Sequence, residues 1–275
     1  MRCISPYQVV LRKLALISIA AIVASAAGLR SVAELVSKLE KGPLDPSVFG
    51  ELESQPPEPR VFAALAEAFE KRDLKEDKQW IALTMLHLGD KSERYLDLLS
   101  GYAKEAIEDR TPLWFVYGPS GDAVHGEISH EFEKWCRENH RDPKEVGALQ
   151  AVRYPEDVWF LAHAQDARAA DLLKRGLDSP NPLAVYYSAV GLALLHDNAS
   201  LPSVVRSCER FPAGTASVVA RALADYLTSE ADLAMERLVK DANLRAEYKR
   251  EAVRERADEA KRKAAREKGK GSTVN

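Results

Sequence analysis

Three histidines and a cysteine stand close together in the middle of this chain: His125, His130, Cys136 and His140. Imidazole nitrogens and thiolates are the ligands that zinc prefers, so this cluster is the first place to look for a metal. Cys136 and His140 are four residues apart and would share one face of a helix. His130 is six residues from Cys136 and would point about a third of a turn away. The spacing fits no established zinc module, and structural histidines beside a packed cysteine account for it better. His87 and His163 each stand three residues before an aspartate, Asp90 and Asp166, and His196 stands directly before Asp197. A catalytic histidine needs a placed partner, whereas an imidazole near a helix C-terminus is simply well tolerated there. Gly118-Pro119-Ser120-Gly121-Asp122 lacks the Lys-Ser/Thr of a phosphate loop and the residue pattern of a nucleophile elbow, so it reads as a turn. Asn198-Ala199-Ser200 has the form of a glycosylation sequon but reads as turn chemistry. No catalytic, cofactor-binding or metal-binding residue is assigned, and no cofactor is expected. Were the chain an enzyme, Asp122, His125 and Glu127 would have to converge in a closed pocket with shifted pKa values.

The elements that would have to position any such residues are helical. Alanine and leucine dominate and β-branched runs are scarce, which favours helix over strand. The 275 residues carry a net charge of only −3, so charge does not mark the molecule as a nucleic-acid binder. At the start, Arg2, Arg12 and Lys13 precede a short apolar run, Leu14 to Val23, and then Ala24-Ser25-Ala26. This is the pattern of a secretory signal cleaved after Ala26. The run is shorter than the roughly 20 residues that span a bilayer, and an uncleaved anchor is the alternative. Export would leave Cys136 and Cys208 in an oxidising compartment, where they could pair. Val204, Val205, Cys208 and Phe211 share a helical face, however, and favour Cys208 as a core thiol.

The organisation of the second half is a repeat. Placing Asp166 over Asp197, an offset of 31, sets Leu161 on Leu192, Ala162 on Ala193, Leu173 on Val204 and Leu177 on Cys208. A further step sets Ala189 on Ala220, Leu192 on Leu223 and Leu195 on Tyr226. Leu201, Val204, Val205 and Cys208 recur at helical spacing, as do Val218, Val219, Ala222, Leu223, Tyr226 and Leu227. Leu183 to Leu195 is apolar nearly all round and must be covered on several sides. Asp178-Ser179-Pro180-Asn181-Pro182 and Phe211-Pro212-Ala213-Gly214 separate the units, and Ser229-Glu230-Ala231-Asp232 reads as a capping box. A weaker echo runs from Trp80 to Leu99.

The run from Asn181 to Asn198, with Leu201 and Val204-Val205 after it, resembles a HEAT-like repeat, and Asp166 to Leu173 resembles the same turn-and-helix element. The resemblance covers about a third of the chain. It implies an all-α, right-handed α-solenoid of helical hairpins; Thr111 to Gly126, rich in Pro, Gly and aromatic residues, breaks the helical pattern and reads as a short irregular insert. It also implies a non-enzymatic scaffold that holds a protein partner on its concave face. The expected organisation is a signal peptide over 1–26, an N-terminal helical region with a degenerate repeat over 27–110, and an irregular insert plus helix over 111–154. Three HEAT-like repeats follow over 155–243, then a charged tail over 244–275. Val32 to Leu39 and Val61 to Phe69 read as amphipathic helices, with a proline- and acid-rich loop, Gly42 to Pro59, between them. From Arg245 onward the chain is almost wholly Ala, Glu, Lys and Arg, with i, i+4 pairs Asp258–Arg262 and Glu259–Lys263. It reads as a solvated helix that frays at Gly269. Membrane contact is expected only through an uncleaved signal or weakly through this basic tail. An accessory or enzyme of the cell envelope using the insert, residues 111–140, is the alternative.

Overall fold

In a computed structural model of the chain the described residues are 31–41, 45–55, 58–108, 137–138, 140, 156–211 and 213–270. Every regular element among them is helical. The chain divides into two compact units, Met1–Leu99 with Arg254–Asn275, and Ser100–Val253.

The first unit holds α1 (Val32–Lys41), α2 (Pro46–Glu53), α3 (Pro59–Lys71), α4 (Lys75–Leu88) and the start of α5 (Glu93–Glu108). A capping box opens α1. The Ser31 N–H donates to the Glu34 carboxylate at 2.7 Å, and the Ser31 hydroxyl accepts from the Glu34 N–H at 3.3 Å. Helix α2 corrects the expected loop between Gly42 and Pro59. Asp45 caps it by accepting from the Ser47 N–H at 2.9 Å, and Pro46 sits in the first turn, where its missing N–H costs nothing. Val48, Phe49 and Leu52 are buried, and Phe49 stacks on Trp80 with ring centroids 5.8 Å apart. Three apolar residues in two turns are too few to stand out against the surrounding prolines, yet they suffice once α4 covers them. α1 and α4 each pack on α3, and α2 packs on α4. Between α4 and α5 the chain turns through Gly89, at φ 99°. Asp90 accepts there from the Ser92 N–H at 2.8 Å.

The second unit is built on a 31-residue period. Its elements are α6 (Glu156–His163), α7 (Ala170–Gly176), α8 (Pro182–Leu194), α9 (Leu201–Glu209), α10 (Ala213–Val219), α11 (Ser229–Leu238) and the start of α12 (Ala242–Lys270). One 3₁₀ turn, Ala167–Ala169, leads into α7 and another, Asn198–Ser200, leads into α9; α10 runs on as the 3₁₀ segment Ala220–Tyr226. Gln165, His196 and Leu227 all adopt left-handed φ, at 50°, 57° and 52°. These residues stand 31 apart, and each ends the first helix of a pair. Asp166, Asp197 and Thr228 follow them at the head of the second. A left-handed residue without glycine is uncommon, so its return at this interval is a property of the backbone as well as of the sequence.

Helix α8 packs against α6, α7 and the Ala220–Tyr226 segment, and eleven of its thirteen residues are buried. A glycine permits the closest approach. A Cβ on Gly191 would lie 2.9 Å from both Cα and Cβ of Ala162 and 2.9 Å from a Leu173 methyl. Near the start of α8, Asn181 caps by accepting from the Leu183 and Ala184 N–H groups at 2.9 and 3.3 Å.

Three expectations for this region are corrected. Leu227, assigned to an apolar face, is 56% exposed, because its left-handed backbone turns the chain out of the helix. The cap of α11 is Thr228 rather than Ser229, its hydroxyl accepting from the Ala231 N–H at 3.2 Å. The tail is not wholly solvated. Tyr248 and Ala252 of α12 are buried, and Glu251 pairs with Arg221 at 2.9 Å. The Arg221 guanidinium also lies over the rings of Tyr186 and Tyr248, at 5.8 and 5.9 Å. Beyond them α12 continues through Gly269 to Lys270, with Asp258 paired to Lys261 at 3.0 Å rather than to Arg262.

Candidate functional site

His125, His130 and Cys136, with Asp122, Glu127 and the Gly118–Asp122 turn, lie outside the described residues. His140 is exposed and has φ 52°. Among the described residues no group of three or more His, Cys, Asp or Glu side chains could hold a metal ion.

The remaining histidines occupy three different environments. His87 Nδ1 lies 2.9 Å from the carboxylate of Glu53, which also accepts from the Thr84 hydroxyl at 3.3 Å. A carboxylate on Nδ1 fixes the tautomer and orientation of an imidazole, and here it ties α2 to α4. The sequence reading missed Glu53 because the helix that carries it was read as loop. His163 stacks on Trp159 at 4.2 Å, and its Nδ1 lies 2.9 Å from the Trp159 carbonyl. His196 is the exposed left-handed residue of its turn.

The turn aspartates carry more of the geometry. Asp166 accepts from the Arg168 N–H at 3.0 Å and pairs with the Arg168 guanidinium at 2.7 Å. Asp197 pairs with Lys174 of α7 at 3.0 Å and accepts from the Ser200 hydroxyl at 2.9 Å. Burial works against ionising Asp197, but hydrogen bonds from Lys174 and Ser200 outweigh it and hold the carboxyl below its ordinary value. Cys208 is unpaired and buried, and burial pushes its thiol up to about 12. Such a thiol is a core residue, not a nucleophile. Tyr226 is buried as well, with its pKa raised by burial and its hydroxyl unpartnered among the described residues.

The second helices of the repeat are packed unevenly. α9 packs against α11, but α7 and α9 form no closely packed pair among the described residues. The space between them is an open groove of about 820 Å³. Leu177 and Ser207 are buried in it, and Lys174, Arg206 and Arg210 are exposed along it. Arg210 anchors the two helix ends, donating to the carbonyls of Leu177, Asp178 and Ser179. Arg206 donates to the Ser203 hydroxyl at 2.8 Å. No sequence signal located this groove, because its residues look like an ordinary solvated helix face.

Comparison of the chain with known protein families, with curated proteins and with solved structures returns no match.

Proposed function

We propose that this chain is a non-enzymatic interaction module of the HEAT-repeat type, in which the hairpins α6–α7, α8–α9 and α10–α11 stack as a right-handed solenoid. The observation that carries the reading is the left-handed residue at 165, 196 and 227, each followed by a polar residue heading the next helix. One hairpin cannot bury its apolar stripe alone, whereas neighbours in a stack can. The near-complete burial of α8, the middle first helix, is what a stack demands of its central unit. In this reading the second helices α7, α9 and α11 line the concave face and hold a protein partner. Export, with cleavage after Ala26, belongs to the same proposal, so the mature chain would begin at Ala27.

The test uses photoreactive residues in the full chain, added to the native cell-envelope fraction. Placed at Glu209 on α9 or Leu233 on α11, both exposed, they should cross-link one defined protein. Placed at the exposed Gln165 turn, the same residue should not. Equal labelling from all three positions, or none from any, would overturn the module reading. Mass spectrometry of the exported protein should give an N-terminus at Ala27, and an intact Met1 would remove the export claim.

A further inference from the structure

The groove between α7 and α9 is lined mostly by polar and charged side chains. Here the meeting faces carry Lys174, Ser203, Arg206, Ser207 and Arg210, with Leu177 as the apolar floor. Arg206 of α9 and Arg210, the residue that ends the helix, stand four apart, a spacing at which like charges repel. Neither has a carboxylate partner among the described residues: Arg206 is bonded to a hydroxyl and Arg210 to three carbonyls. Neutral acceptors orient a guanidinium without cancelling its charge. Two acidic side chains also border the groove. Glu209 faces Arg237 of α11 at 3.5 Å, and Asp178 stays exposed at one end. Lys174 is already held by Asp197 and Glu209 by Arg237, so the two arginines outweigh Asp178, the remaining acidic side chain of the lining.

We propose that this groove docks an extended, acidic peptide segment of the partner, with carboxylates on Arg206 and Arg210. The proposal rests on the module reading above and adds where the partner sits and what it must carry. Charge complementarity favours carboxylates, since a planar guanidinium takes a carboxylate in a two-pronged geometry. The open form suits a chain that passes through, not an enclosed small molecule.

Fluorescence anisotropy of a labelled hexaglutamate peptide with the full chain tests it, at low and at physiological salt. Binding should exceed that of hexaserine and weaken as salt rises. Arg206→Glu should lower affinity at least tenfold with an unchanged melting curve, since Arg206 is exposed and bonds only Ser203. Lys174→Gln serves as a second variant should Arg206→Glu misfold, and should lower affinity about threefold. Neutralising Lys261 and Lys263 in the basic tail should change it less than twofold. The groove assignment is overturned if hexaglutamate binds no better than hexaserine, or if the tail variant abolishes binding while Arg206→Glu does not. It is overturned likewise if inorganic sulfate at equal charge displaces the peptide completely. Any of these results leaves the module reading standing as long as the cross-links from α11 persist; loss of those cross-links removes both.

Discussion

The first and second helices of the repeat solve opposite problems with the same period. Helix α8 is buried on nearly every side, approaches Ala162 so closely that only glycine fits at position 191, and carries no charged side chain between Pro182 and Leu194. Helix α9 buries Leu201, Val204 and Cys208, but presents Ser203, Arg206 and Arg210 to an open groove. Both helices obey the apolar spacing of the repeat. They differ in how many faces the neighbours cover: α8 is enclosed on nearly all sides, and α9 keeps an exposed face.

Mutations should divide along the same line. Leu192 is fully buried in α8, and Leu192→Asp strands a charge with no partner, a loss of at least about 3 kcal/mol. The cooperative thermal transition of the second unit should disappear; a retained transition would show that the core face is wrongly assigned. Gly191→Val drives a side chain into the Ala162 backbone and should cost about 2–3 kcal/mol, read as a fall in urea midpoint. An unchanged midpoint would mean that α6 and α8 are not in tight contact. Tyr248→Ala removes the buried ring that docks the start of α12 and its contact with Arg221, at about 2 kcal/mol. A silent Tyr248→Ala would return the whole tail to the solvated state that its composition suggests.

Changes on the groove side should be small. Because the folded pKa of Asp197 is depressed, its contribution is present above the ordinary carboxyl range and is lost as pH falls through the lowered value. Asp197→Asn should therefore destabilise the protein at neutral pH by less than about 1 kcal/mol. The difference from wild type should vanish in acid, measured as melting temperature against pH. A difference that persists at low pH would assign the effect to the turn and not to the charge. Arg206→Ala should move stability by no more than about 0.5 kcal/mol. A larger loss would make Arg206 a structural residue and weaken its assignment to a binding surface.

What could be read from the sequence was everything that depends on local pattern. Helical class, the 31-residue interval, the breaks at Asp178–Pro182 and Phe211–Gly214, and the all-round apolar character of Leu183 to Leu195 follow from side-chain spacing and from Gly and Pro. The misreadings share a cause. Helix α2 has too few apolar residues to announce itself, and α4 stabilises it from 30 residues away. Leu227 fits an apolar periodicity, yet the chain leaves the helix at that residue. Tyr248 and Ala252 are sparse apolar residues in a charged run, and whether they are buried depends on a surface that Arg221, Glu251 and Asp232 help to form.

The sequence on its own determined that the described chain would be helical and would turn at 31-residue intervals in its second half, because backbone propensity and apolar period act over a few residues at a time. Only the tertiary structure decided which polar residues meet. Glu53 finds His87, Lys174 finds Asp197, and α7 stands apart from α9 with arginines facing the space between. Pairings of that kind are set by how neighbouring helices are spaced, and no residue carries that spacing in its own identity.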